Sequence, residues 1–114
     1  MTDCLFCKIR DGVISGDIVF EDDDVLAFND VNPQAPVHVL IIPKKHIPTV
    51  NDVSAEDENV MGKMFSAAKT IASQQGVSDD GYRLVVNSNE DAGQLVFHIH
   101  MHMLAGRNMS WPPG

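Results

Sequence analysis

Phe97-His98-Ile99-His100-Met101-His102-Met103-Leu104 places three of the chain's 5 histidines at i, i+2 spacing, with an apolar residue in every gap. Successive side chains of a β-strand point to opposite faces, so this alternation predicts a strand. Phe97, Ile99, Met101 and Met103 would face a core, and His98, His100 and His102 would form a row on the other side, roughly 7 Å apart. A single histidine can simply decorate a solvated strand face. Three in register read as a site.

Working outward, Val37-His38-Val39-Leu40-Ile41-Ile42-Pro43 is almost continuously apolar, as expected of a central strand buried on both faces. His38 interrupts it and reads as a partner for the other three histidines. Asp17–Glu21 and Val25–Asn29 flank Asp22-Asp23-Asp24, which is a hairpin signal with a solvated acidic turn. Lys44-Lys45 reads as a solvated exit from the strand before it. Ser54 is the expected N-cap of one long helix, with an acidic first turn and Gly76 as its C-terminal cap. Val60, Met61, Met64, Phe65, Ala68, Ile71 and Ala72 form its apolar stripe. Residues 3–12 predict a short helix with Leu5, Phe6 and Ile9 on one side. Tyr82–Asn87 reads as a strand after the turn Asp79-Asp80-Gly81, and Gly106 ends the histidine strand. The order predicts one α+β domain over residues 1–114 with a largely antiparallel sheet.

A chain of 114 residues with 44% apolar content can bury a core without needing a disulfide or a metal to fold. Its formal charge of −8 argues against nucleic acid as the main partner. No run approaches the length of a membrane span, and Met1-Thr2-Asp3-Cys4 lacks a basic region followed by an apolar one, so the expectation is cytoplasmic. The 2 cysteines form Cys4-Leu5-Phe6-Cys7, a metal half-site or redox pair in a reducing compartment.

Two chemistries suit the histidines. Two of them with His38 could hold a catalytic zinc, water taking the fourth position, but residues 95–104 offer no carboxylate to orient the ligands. Alternatively, a neutral imidazole attacks phosphorus directly, with its other nitrogen hydrogen-bonded to fix the tautomer. Flanking histidines and the backbone around Gly93-Gln94 would then hold the phosphate.

The segment His98–Leu104 resembles the His-φ-His-φ-His-φ-φ signature of the histidine triad family. Ile18-Val19-Phe20-Glu21-Asp22, Asn32-Pro33-Gln34-Ala35-Pro36, Ile42-Pro43-Lys44-Lys45-His46, Gly81-Tyr82-Arg83 and Trp111-Pro112-Pro113-Gly114 are similar, in order, to its Hint branch. The resemblance implies a five-stranded sheet joined to a second copy's across a homodimer. It also implies hydrolysis of purine nucleoside 5′-phosphoramidates (AMP or GMP conjugates) through a covalent nucleotidyl-histidine, with no cofactor needed for the chemistry. Carried over, His100 matches the nucleophile, His102 a phosphate ligand and His38 the histidine that orients the nucleophile. Asn87, Gly93 and Gln94 match positions around the phosphate, and Asp30 the ribose-binding acid. Leu5, Phe6, Ile9, Phe28, Val31 and Leu40 match the walls of a base pocket. Leu95 stands where well-studied animal members carry a serine; its backbone N–H can still bind phosphate, but the hydroxyl is missing. Some microbial members combine a Cys-x-x-Cys with two histidines to bind zinc, and Cys4, Cys7, His46 and His98 match that structural set. A nucleotide-binding regulatory dimer with incidental hydrolysis, and a zinc-dependent hydrolase, are the alternative functions.

Overall fold

The structure is a computed structural model and describes residues 4–114. The expected helix from residue 3 therefore has its first residue outside the described part, as does the N-terminal Met1-Thr2-Asp3. The strands are β1 (Ile18–Glu21), β2 (Val25–Asn29), β3 (Val37–Pro43), β4 (Tyr82–Val86) and β5 (Met101–Ala105), and the helices α1 (Leu5–Arg10) and α2 (Glu58–Gln75). They build one five-stranded sheet in the order β1-β2-β3-β5-β4, every neighbouring pair antiparallel. The α+β fold class expected from the sequence is thus the observed one.

Strand alternation sorts the sheet into two faces. Val25, Ala27, Val39, Ile41, Met101 and Met103 meet Met64, Ala67, Ala68, Ile71 and Ala72 of α2. The small alanines let the helix lie close, and each large side chain buried there contributes about 1.5–3 kcal/mol. On the opposite face Leu26, Phe28, Leu40 and Ile42 gather under Phe6 of α1, with Ile9 and Val96 against them. His102 pairs with Leu40 and His38 with Leu104, and the two histidines meet on this second face. Strand β3 is buried on both sides because α2 covers one and α1 the other.

The hairpin turn forms because Asp22 Oδ1 accepts the N–H groups of Asp24 and Val25, both at 2.8 Å. Gly76 ends α2 in the left-handed conformation (φ 72°) and donates to the carbonyls of Ala72 and Ser73. Gly106 is required twice over. Its φ is +93°, and a Cβ there would lie 2.8 Å from Pro36.

Several expectations need correction. Ser54 caps a 3₁₀ turn (Ala55–Asp57) through Asp57 Oδ2, so α2 starts a turn later than its cap suggests. Phe65 is 58% exposed, because it lies a full residue step round from Met64 at the border of the stripe; Ala67 fills the core instead. Phe97 is 47% exposed because the regular strand begins only at Met101. Before that point the chain is irregular, and Ile99 N–H donates to the Ile47 carbonyl at 2.7 Å. Lys45 is not merely solvated, since its ammonium lies 2.7 Å from Asp57 and 3.0 Å from Glu56.

Candidate active site

The histidines reach the site from two adjacent strands and the segment leading into one of them. His38 and His100 are each 6% exposed, and His102 is half-buried. His100 and His102 line a cavity of about 780 Å³, with rings 5.0 Å apart.

Neighbours of fixed polarity set the tautomers of His100 and His38, and His38 sets that of His102. His100 Nδ1 lies 2.9 Å from the His98 carbonyl, which can only accept, so Nδ1 carries the proton and Nε2 keeps a lone pair. His38 Nδ1 accepts the Gln34 backbone N–H at 2.9 Å, so the proton of a neutral His38 is on Nε2. That N–H donates to His102 Nδ1 at 2.9 Å, which puts the His102 proton on Nε2. Adjacent rings in one cavity are thereby held in opposite tautomers: His100 offers a lone pair, His102 a donor.

Burial keeps all three neutral. Desolvation lowers the pKa of His100 and of His38, with Asp30 partly opposing it in both. His102 is lowered to about 4, first by desolvation and then by the charges that His100 and His38 would carry. Asp30 Oδ2 sits 3.4 Å from His38 Nε2, and its other oxygen accepts the Asn32 N–H at 2.8 Å. The carboxylate that residues 95–104 lack thus arrives from the loop after β2. Asp30, His38 and His102 could in principle clasp a metal. The Gln34 N–H argues against it, because it holds the His38 proton on the nitrogen that would have to ligate.

The expected residues divide. Leu5, Phe6, Ile9, Phe28 and Leu40 are the expected apolar residues that line the cavity, and Asp30 and Val31 line it too. Gly93 and Leu95 line it as well, Leu95 being 91% exposed. Gln94 and Asn87 are not among the lining residues. Gln94 is buried, its Oε1 accepting from Asn89 N at 2.8 Å and its Nε2 donating to the carbonyls of Pro48 and Val96, so it braces the loop. His38 bonds to His102, and the group that orients His100 is the His98 carbonyl. Ile14, Ser15, Asp17, Asn29 and Val96 also line the cavity without having been foreseen. Asn29 carried a usable signal, as it immediately precedes Asp30; residues 14–16 had neither periodicity nor a motif, and Asp17 was read only as the start of a hairpin strand.

The remaining triad histidine faces elsewhere. Nδ1 of His98 lies 3.3 Å from Cys4 Sγ, 3.4 Å from Cys7 Sγ and 3.2 Å from His46 Nδ1. These four donor atoms all lie within 4.8 Å of one another. His98 Nε2–H donates to the Pro43 carbonyl at 2.7 Å, turning its Nδ1 lone pair to the thiols. Burial pushes the Cys7 thiol up to about 11 and pulls His98 down to about 4. Two thiols and two imidazoles, one of them already oriented by a carbonyl, fit a tetrahedral zinc site.

A family model described as "HIT domain" matches residues 11–109. The chain belongs to the HIT family. It is 56% identical over 103 residues to a purine nucleoside phosphoramidase of Escherichia coli strain K12, covering 90% of this chain and 87% of that protein. It is 50% identical over 112 residues to an uncharacterised HIT-like protein of Synechocystis, covering 98% and 97%. A crystal structure of a HIT family hydrolase from Legionella pneumophila superposes with a TM-score of 0.96 at 54% identity, covering 98% of this chain and 100% of that one. A histidine triad protein from Clostridium difficile gives 0.93 at 41% identity, covering 96% of each. The HIT signature falls on the segment that forms the cavity wall.

Proposed function

We propose that this HIT-family chain hydrolyses purine nucleoside 5′-phosphoramidates, with His100 as the nucleophile. The observation that carries the reading is the pair of opposite tautomers on His100 and His102. His100 Nε2 attacks phosphorus, the new N–P bond forms and the P–N bond of the substrate breaks. The leaving nitrogen takes up one proton, delivered from water by way of His102 Nε2–H, and departs as the amine. Water then cleaves the nucleotidyl-histidine, releases the nucleoside monophosphate and restores His100. Neutral imidazoles suit both steps near pH 7. The apolar wall under α1 suits a base, and the Asp30 carboxylate in the cavity lining suits ribose hydroxyls. Similarity to the Escherichia coli enzyme supports the purine phosphoramidate class.

We further infer a structural zinc held by Cys4, Cys7, His46 and His98. Bound there, it would tie α1 to the exit of β3 and to the triad segment, and with four protein ligands it leaves no open position for substrate. The position of β4 at an edge of the sheet, unpaired on its outer side among the described strands, supports a homodimer with joined sheets. Among the described residues no helix is long and apolar enough to cross a membrane.

The test is turnover of adenosine 5′-phosphoramidate by the wild-type chain and by His100→Ala. The reading requires hydrolysis by the first and its loss in the second; undiminished turnover in His100→Ala sinks it.

A further inference from the structure

We propose that the Cys4, Cys7, His46 and His98 cluster positions the nucleophile, so that metal occupancy there and nucleotide binding beside His100 are coupled through His98 and Phe6. The proposal rests on the two readings just given, of His100 and of the zinc cluster, and adds a link between them.

His98 belongs to both sites at once. Its side chain is fully buried, with Nδ1 directed at both thiols and Nε2–H anchored on Pro43. Its main-chain carbonyl is the acceptor that fixes the His100 tautomer at 2.9 Å. Any shift of His98 that follows loss of its side-chain partners moves that carbonyl. Phe6 supplies the second link. It lies between the two cysteines on α1 and is 4% exposed. Its ring stands edge-on to His100, centroids 5.0 Å apart and planes at 86°, and it also packs against Phe28 at 5.3 Å.

The helix carrying Phe6 spans only Leu5–Arg10. A helix that short is not stable by itself, so its place depends on what holds it. Packing beneath it and the Arg10 Nη1–H bond to the Lys44 carbonyl are two ties, and the cluster is the third. Neither cysteine lines the cavity, so the cluster acts on it through α1 and the segment around His98. Two sites that restrain the same elements stabilise each other, and the coupling is reciprocal.

The experiment compares AMP affinity of zinc-loaded and chelator-stripped protein by calorimetry, zinc affinity with and without saturating AMP, and the His100 tautomer by ¹⁵N NMR. Zinc loading is expected to tighten AMP binding about fivefold or more, with AMP tightening zinc by the same factor. Stripped, folded protein is expected to lose the single Nδ1–H signature of His100. Phe6→Leu leaves all four donors in place. It should bind one zinc per chain and show a smaller coupling factor. Equal AMP affinities with one zinc bound, and an unchanged His100 signature in stripped protein, overturn the coupling alone. Failure of the reconstituted protein to hold zinc overturns the metal reading and the coupling with it, while leaving the phosphoramidase reading intact.

Discussion

His38 Nε2–H donates to His102 Nδ1 across 2.9 Å, and that bond fixes the His102 proton on the nitrogen remote from His38. Because the Gln34 N–H occupies the other side of His38, the order Gln34, His38, His102 runs in one direction only. Removing the middle member frees the end. His38→Ala is expected to lower kcat about 100-fold, the scale of lost acid–base assistance, with a smaller change in KM. Steady-state kinetics of the variant check this; an unchanged kcat would mean that the His102 tautomer does not matter.

The neutral state of the three site histidines sets the acid limb of activity. Their folded pKa values are lowered from 6.5, that of His102 to about 4, so each stays neutral to a lower pH than an ordinary imidazole. The pH profile of kcat/KM should be flat near neutrality and fall only below 6.5. Asp30 raises all three values, so Asp30→Asn lowers them further and should move the acid limb to lower pH. A limb shifted upward in Asp30→Asn would contradict this sign.

Gln94 is buried at 4% and its amide satisfies three backbone groups. Gln94→Ala strands those groups, and the expected loss is about 1–3 kcal/mol of stability. Urea unfolding at neutral pH measures it. If Gln94 instead served substrate directly, stability would hold while KM rose.

Leu95 is 91% exposed at the cavity, with no packing to lose. Leu95→Ser should leave stability within about 0.5 kcal/mol of wild type. Its effect belongs in the ratio of turnover for phosphoramidates with different amines. An unchanged ratio would show that Leu95 does not face the leaving group.

The central strands were readable because Val37–Pro43 is an apolar run broken only by His38 and the histidine segment ending at Leu104 alternates with a period of two. The limits were equally physical. Phe97 obeys the alternation, yet the strand has not begun there, and nothing in the residue types marks where ladder pairing starts. The stripe of α2 could not rank Phe65 against Ala67, since a border position is decided by the surface it meets. At the site, residue types pointed to the histidines but left their order of contact open. Strand register pairs His102 with Leu40 and joins His38 to His102, and the protons are assigned by the turn at Gln34 for those two rings and by the His98 carbonyl for His100. Likewise Gln94 carries a motif position but spends its amide on the loop.

The most direct test of the central claim is to quench the chain during turnover of adenosine 5′-phosphoramidate and locate the adduct by peptide mass spectrometry. An adenylyl group is expected on His100, absent in His100→Ala. An adduct on His98 or His102, or full turnover in His100→Ala with no adduct at all, would contradict it.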